Sequence, residues 1–112
     1  MQVDPQLTTR LERIGDVSKV AVFGEADIAT VPELNRAFAE AVADAEGLVI
    51  DLLGVTFMDS SGLGALIALR HSHPEMDITL ILGPGVVLRT IETTGLSDLF
   101  RIEHSGPDQP VA

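Results

Sequence analysis

Leu52-Leu53-Gly54-Val55-Thr56-Phe57-Met58-Asp59-Ser60-Ser61-Gly62-Leu63-Gly64 joins two different periodicities. Upstream, Gly47-Leu48-Val49-Ile50-Asp51-Leu52-Leu53 is an almost unbroken apolar run, which reads as a buried central strand. Downstream, Leu63, Leu66, Ile67 and Arg70 fall at helical spacing, so a helix is expected to start close to Ser60 or Ser61. Asp59 and the two serines therefore stand at a strand-to-helix junction, where first-turn N–H groups lack intrahelical partners. Two readings are open. In one, Asp59, Ser60 and Ser61 are capping residues of the kind every helix start prefers. In the other, Ser60 is an exposed acceptor hydroxyl for a kinase, and a phosphate adds about two negative charges beside Asp59. The positive end of the helix dipole is expected to hold such a phosphate without distorting the fold. Phe57 and Met58 are expected to anchor the junction in the core. Gly62 and Gly64 are expected to leave the approach to Ser60 open to another macromolecule.

Outward from the junction, Thr30-Val31-Pro32-Glu33 has the form of a capping box with proline in the first turn. Val31, Leu34, Ala37, Phe38, Ala41 and Val42 then form an apolar stripe, with Glu33, Arg36, Glu40 and Asp44 opposite. Before this helix, Leu7, Leu11 and Ile14 suggest a strand that ends at the turn Gly15-Asp16. Val17 to Phe23 is its expected antiparallel neighbour. Beyond the junction, His71-Ser72-His73-Pro74 ends the second helix, and Met76 to Leu82 is a further strand. Gly83-Pro84-Gly85 opens a third helix through Val87, Leu88 and Ile91, closed by Gly95. Leu99-Phe100-Arg101-Ile102 is the last expected strand. The order β-β-α-β-α-β-α-β predicts an α/β fold with helices packed on a mixed sheet. Residues 1–112 are read as one domain with an ordered core over about 7–103. The tail from Ser105 to Ala112, with Gly106, Pro107 and Pro110, is expected to be mobile.

Composition narrows the functional classes. A chain of 112 residues suits a single core, and 46% apolar residues argue against wholesale disorder. A net charge of −10 argues against nucleic-acid and anionic-membrane binding, which need clustered Lys and Arg. It serves solubility, or steers a basic protein partner. The absence of Cys excludes disulfides and thiolate chemistry. No apolar run reaches the length of a membrane span, and Met1-Gln2-Val3-Asp4-Pro5 does not have the form of a signal peptide. A cytoplasmic protein is the expectation.

The stretch Phe57-Met58-Asp59-Ser60-Ser61-Gly62-Leu63-Gly64 resembles the signature of the STAS domain, specifically of the bacterial anti-sigma-factor antagonists. Gly24-Glu25-Ala26-Asp27 resembles that family's Gly-Glu-Leu-Asp segment. Thr94-Gly95-Leu96 through Phe100-Arg101-Ile102 resembles its closing segment, so the likeness spans roughly Leu7 to Glu103 in the right order. The resemblance implies a STAS-like fold. It also implies that Ser60, the first serine after the aspartate, is phosphorylated by a partner anti-sigma factor that is itself a serine kinase. Unphosphorylated, the protein would bind that kinase and free its sigma factor; a metal-dependent serine phosphatase would reset it. Asp27, Asp59, Ser60, Ser61, Gly62 and Leu63 are the expected partner surface. The second helix, Ser61 to His73, is shorter than is common in the family, which bears on which anti-sigma factor is recognised.

Other candidate chemistry is weaker. Asp27 and Asp59 fall at the same end of the sheet if their strands are parallel, where two carboxylates bind a cation, divide acid and base roles, or cap turns. The resemblance assigns both to the partner surface, so no catalytic residue, metal or cofactor is expected. Asp51 inside the apolar run is either a buried acid or a solvated one. His71 and His73 sit two apart, which on a helix separates their faces, and all three histidines are expected to face solvent. Ser60 lacks a nearby histidine base and a Gly-x-Ser-x-Gly elbow, so it is not expected to be a nucleophile. Lys19 is the only lysine and is far from any phosphate-cradling turn. Three alternatives stand beside the switch: a scaffold in a larger STAS assembly, a regulatory STAS subunit of a membrane transporter, and an enzyme using Asp27 and Asp59.

Overall fold

In the computed structural model, which describes residues 6–105, β1 (Leu7–Ile14) and β2 (Val17–Ala26) are followed by α1 (Val31–Val42) and β3 (Gly47–Met58). Then come α2 (Ser60–Ser72), β4 (Asp77–Leu82), α3 (Val86–Thr93), a 3-10 turn at Leu96–Asp98 and β5 (Arg101–His104). The expected mobile tail, Ser105 aside, lies outside the described residues. Lateral order in the sheet follows chain order, β1-β2-β3-β4-β5, so β3 is central. β1 and β2 form an antiparallel hairpin closed at Ile14↔Val17, and every later neighbour is parallel.

Paired residues share a face, so Val20, Ile50, Leu80 and Ile102 lie on one row. On that face Val20, Val22, Leu48, Ile50, Leu52, Ile78, Leu80 and Leu82 are buried together with Leu34, Phe38, Leu66, Leu69 and Ile91 from the three helices. Among the described residues the opposite face lacks such apolar cover, although Thr79 beside Val49 is buried there. There Lys19, Ala21, Val49, Asp51 and Ile81 are half-buried and Phe23 is exposed. The central strand is therefore buried on one face only, because the helices supply apolar cover to one side.

β3 is longer than its neighbours, and this shapes the functional end. Pairing with β4 stops at Asp51↔Ile81, so the rest of β3 runs beside β2 alone. Against β2 it carries an extra residue twice, between Ala21 and Phe23 and again between Gly24 and Glu25. At the first irregularity the Asp51 carboxylate accepts the Leu53 N–H at 2.9 Å. Asp51 is thus a half-exposed acid that satisfies a local backbone donor.

Several local expectations change. Thr30 does not close a capping box. Its buried hydroxyl donates to the Glu25 carbonyl at 2.8 Å and accepts the Asp27 N–H at 2.9 Å. Glu33 turns instead to Arg36, whose hydrogen bond holds the Glu33 carboxyl below its usual range. β2 continues three residues past Phe23, and β5 starts at Arg101 because Phe100 is turned into the core. His73 is half-buried at the α2 C-cap, whereas His71 and His104 are exposed. The Arg70 guanidinium, on the inward stripe of α2, donates to the His73 and Met76 carbonyls and satisfies acceptors that the helix end leaves open.

Candidate functional site

Parallel pairing brings the ends of β2 and β3 level at Ala26↔Met58. Asp27 and Asp59 are the next residues on each strand, and the Asp59 N–H donates to the Ala26 carbonyl at 3.2 Å. The first turn of α2 rests on this pair of strand ends. A Cβ at Gly62 would lie 2.8 Å from Met58 Cγ, 2.9 Å from the Ala26 oxygen and 3.0 Å from Ala26 Cβ. Glycine here lets the helix sit directly on the sheet. Gly62 and Leu63, expected on the partner surface, are buried beneath it, Leu63 with 9% of its surface accessible. Gly64 alone keeps open space, since a Cβ there would meet nothing within 4 Å.

The capping role falls on one residue. Asp59 has extended backbone (φ −105°, ψ −168°), and its Oδ1 accepts the N–H groups of Ser61 at 2.8 Å and Gly62 at 3.3 Å. Carboxylate and hydroxyl caps are comparable in strength, so the strand geometry, not chemical preference, selects Asp59. Ser60 is left as the first helical residue, exposed, its hydroxyl without a hydrogen-bond partner among the described residues. Ser61 is half-buried beside it. This geometry also corrects the expectation that the helix start holds a phosphate, because the donors of Ser61 and Gly62 are already taken. A phosphate on Ser60 would instead stand outside the cap with its charge unneutralised by them. Asp59→Ala is expected to lower stability by about 1 kcal/mol, and Asp59→Asn by much less, in denaturant titrations.

Asp27 has a comparable local duty. Its Oδ1 accepts the N–H groups of Ala29 at 3.0 Å and Thr30 at 3.1 Å, shaping the loop into α1. Both carboxylates thus serve their own turns through Oδ1. Among the described residues no group of three or more His, Asp or Glu is placed to hold a metal ion.

Two apolar side chains at this end were not legible as surface groups. Ile28, next to Asp27, is 79% exposed. Phe57, expected in the core, is 49% exposed, while Met58 is buried. The second irregularity of β3 pairs Phe57 with Glu25 and turns its ring outward. Ile28 carried no periodic signal; only its position between Asp27 and the first helix pointed to the loop.

The STAS domain model matches residues 8–107 of this chain. An anti-sigma-B factor antagonist from Listeria monocytogenes is 36% identical over 97 residues, covering 83% of this chain and 84% of that protein. The crystal structure of an anti-sigma factor antagonist from Mycobacterium paratuberculosis superposes with a TM-score of 0.82 at 36% identity, over 91% of this chain and 88% of that one. The Bacillus cell fate determinant SpoIIAA in its phosphorylated form shares the fold at 19% identity, with a TM-score of 0.62 over 90% and 94% of the two chains. Among the described residues, no helix is long and apolar enough to cross a membrane. The likeness runs from the first strand to the last and is not confined to the junction motif, and on that ground the chain belongs to the STAS domain family.

Proposed function

We propose that the protein is an anti-sigma factor antagonist that works as a binding switch and not as an enzyme. Unmodified, its junction face binds an anti-sigma serine kinase and frees the sigma factor. Phosphorylation of Ser60 by that kinase ends the complex. The carrying observation is the division of labour at the start of α2: Asp59 caps the helix, and the Ser60 hydroxyl is exposed and, among the described residues, unengaged. In the transfer, Ser60 Oγ takes the γ-phosphoryl group of ATP, losing its proton and leaving ADP. Because Asp59 and Asp27 already line this face, the added charge crowds like charges at a surface that must desolvate to bind. A metal-dependent serine phosphatase restores the hydroxyl by hydrolysis. The relatives' shared name supports this reading, and a cytoplasmic setting goes with it.

Asp27, Asp59, Ser60 and Ser61 form the polar part of the contact face; Gly62 and Leu63 support it from below. Ile28 and Phe57 supply the apolar area that interface centres require. Ile28→Ala is expected to weaken binding by about tenfold without moving the melting temperature. The direct test titrates the unmodified protein into the complex of the anti-sigma factor with its sigma factor. Release of sigma supports the proposal; an anti-sigma factor that keeps its sigma and does not bind the protein overturns it.

A further inference from the structure

β1 is the outermost strand of the sheet, eight residues long, with no irregularity in its pairing to β2. The Glu25 N–H donates to the Gln6 carbonyl at 2.8 Å, and the register sets Gln6 opposite Glu25. Antiparallel pairs alternate between bonded and non-bonded. The even residues of β1 therefore bond to β2, while the N–H and C=O groups of Leu7, Thr9, Leu11 and Arg13 point away from the sheet. Charges on an edge usually discourage pairing, but here the order of their signs matters. Arg10 and Glu12 are exposed, lie on the same face, and have no ion-pair partner among the described residues. Leu11 between them is 43% exposed at the margin of the core.

We infer that a second copy of this chain pairs with β1 about a two-fold axis through Leu11, making one continuous ten-stranded sheet. An antiparallel pair with outward residues matched allows few registers. Centring on residue 10 sets Arg10 against Arg10, centring on 12 sets Glu12 against Glu12, and centring on 13 sets Arg13 against Arg13. Centring on Leu11 sets Arg10 against Glu12 of the other copy twice, with Leu11 against Leu11 and Thr9 against Arg13. The Arg10–Glu12 rungs fall at non-bonded pairs, where opposing side chains stand closest. Arg13 does not obstruct the edge, because its guanidinium is drawn back to Ser18 Oγ at 2.9 Å and the Ala43 carbonyl at 2.8 Å. The axis is perpendicular to the sheet, so both sets of helices stay on one face. Ser60 follows β3, two strands in from the edge, and the axis at Leu11 lies beside Val20, well before Asp27 and Ile28 at the far end of β2, so the centre of this interface is separate from the proposed kinase face.

Sedimentation equilibrium on the full chain tests the register through charge reversal. Arg10→Glu faces Ala21 within its own sheet, and Glu12→Arg faces Lys19, so melting curves accompany both. Each variant alone is expected to raise the dimer dissociation constant by at least about tenfold, since both rungs become like-charged. Mixed together they are expected to form a heterodimer within a few-fold of the native affinity, with every rung again of opposite sign. A native chain that stays monomeric to about 1 mM overturns the proposal. So do single variants that remain dimeric, or a mixture that remains monomeric. Monomeric variants are expected to bind the anti-sigma factor normally, which separates this inference from the function of Ser60.

Discussion

Ser60→Asp is expected to weaken the complex with the anti-sigma factor by about 30-fold or more, while Ser60→Ala leaves it within about threefold. The asymmetry follows from the start of α2. Asp59 already occupies the donors of Ser61 and Gly62, so a carboxylate at position 60 finds those two donors taken and adds to the acidic face. Removing the hydroxyl costs little, because no described residue uses it. The phosphate carries about two charges where Asp carries one, so the phosphorylated protein is expected to bind more weakly still. The loss should shrink as salt rises, since repulsion at a partly exposed surface is screened. A purely steric effect would not respond to salt. Equal affinities for the native chain and Ser60→Asp, by calorimetry, would remove the proposed switch.

Gly24→Ala is the second large effect, and it concerns stability. Gly24 has φ +103°, and a Cβ there would lie 2.1 Å from the Gln6 carbonyl oxygen and 3.0 Å from its carbon. That carbonyl is itself fixed by the Glu25 N–H, so the obstacle is backbone and cannot rotate away. Strained backbone and overpacking each cost about 1–3 kcal/mol, so a total of about 3 kcal/mol or more is expected. This is a large part of the stability of a typical domain. Gly15→Ala is the control. Its φ is +61° but a Cβ would meet nothing within 4 Å, so only about 1 kcal/mol is expected. Equal midpoints for the two variants in urea would mean that the Gln6 contact is not the reason for glycine at position 24.

Element order was legible because it is encoded locally. The apolar run into β3, the stripe of α1 and the glycine- and proline-marked boundary before α3 each announce themselves within a dozen residues. The site was legible to the level of its motif. What stayed hidden depends on contacts between segments. Asp and Ser are equally good caps in sequence, and only the seating of Met58 beside Ala26 gives the cap to Asp59. Gly62 reads equally well as an opening or as a close contact until the helix is laid on the strand ends. Phe57 faces outward because the second irregularity of β3 undoes the shift of the first, which had turned Val55 inward, and neither irregularity is visible in one strand alone. Phe100 reads as strand by composition, yet the preceding 3-10 turn sends it into the core.

The most direct measurement is the intact mass of the protein after incubation with ATP and the anti-sigma kinase of its own genome, with Ser60→Ala beside it. The account predicts one added phosphate on the native chain and none on the variant. A native chain that gains no phosphate while forming the complex, or a variant that gains as much as the native chain, would contradict it.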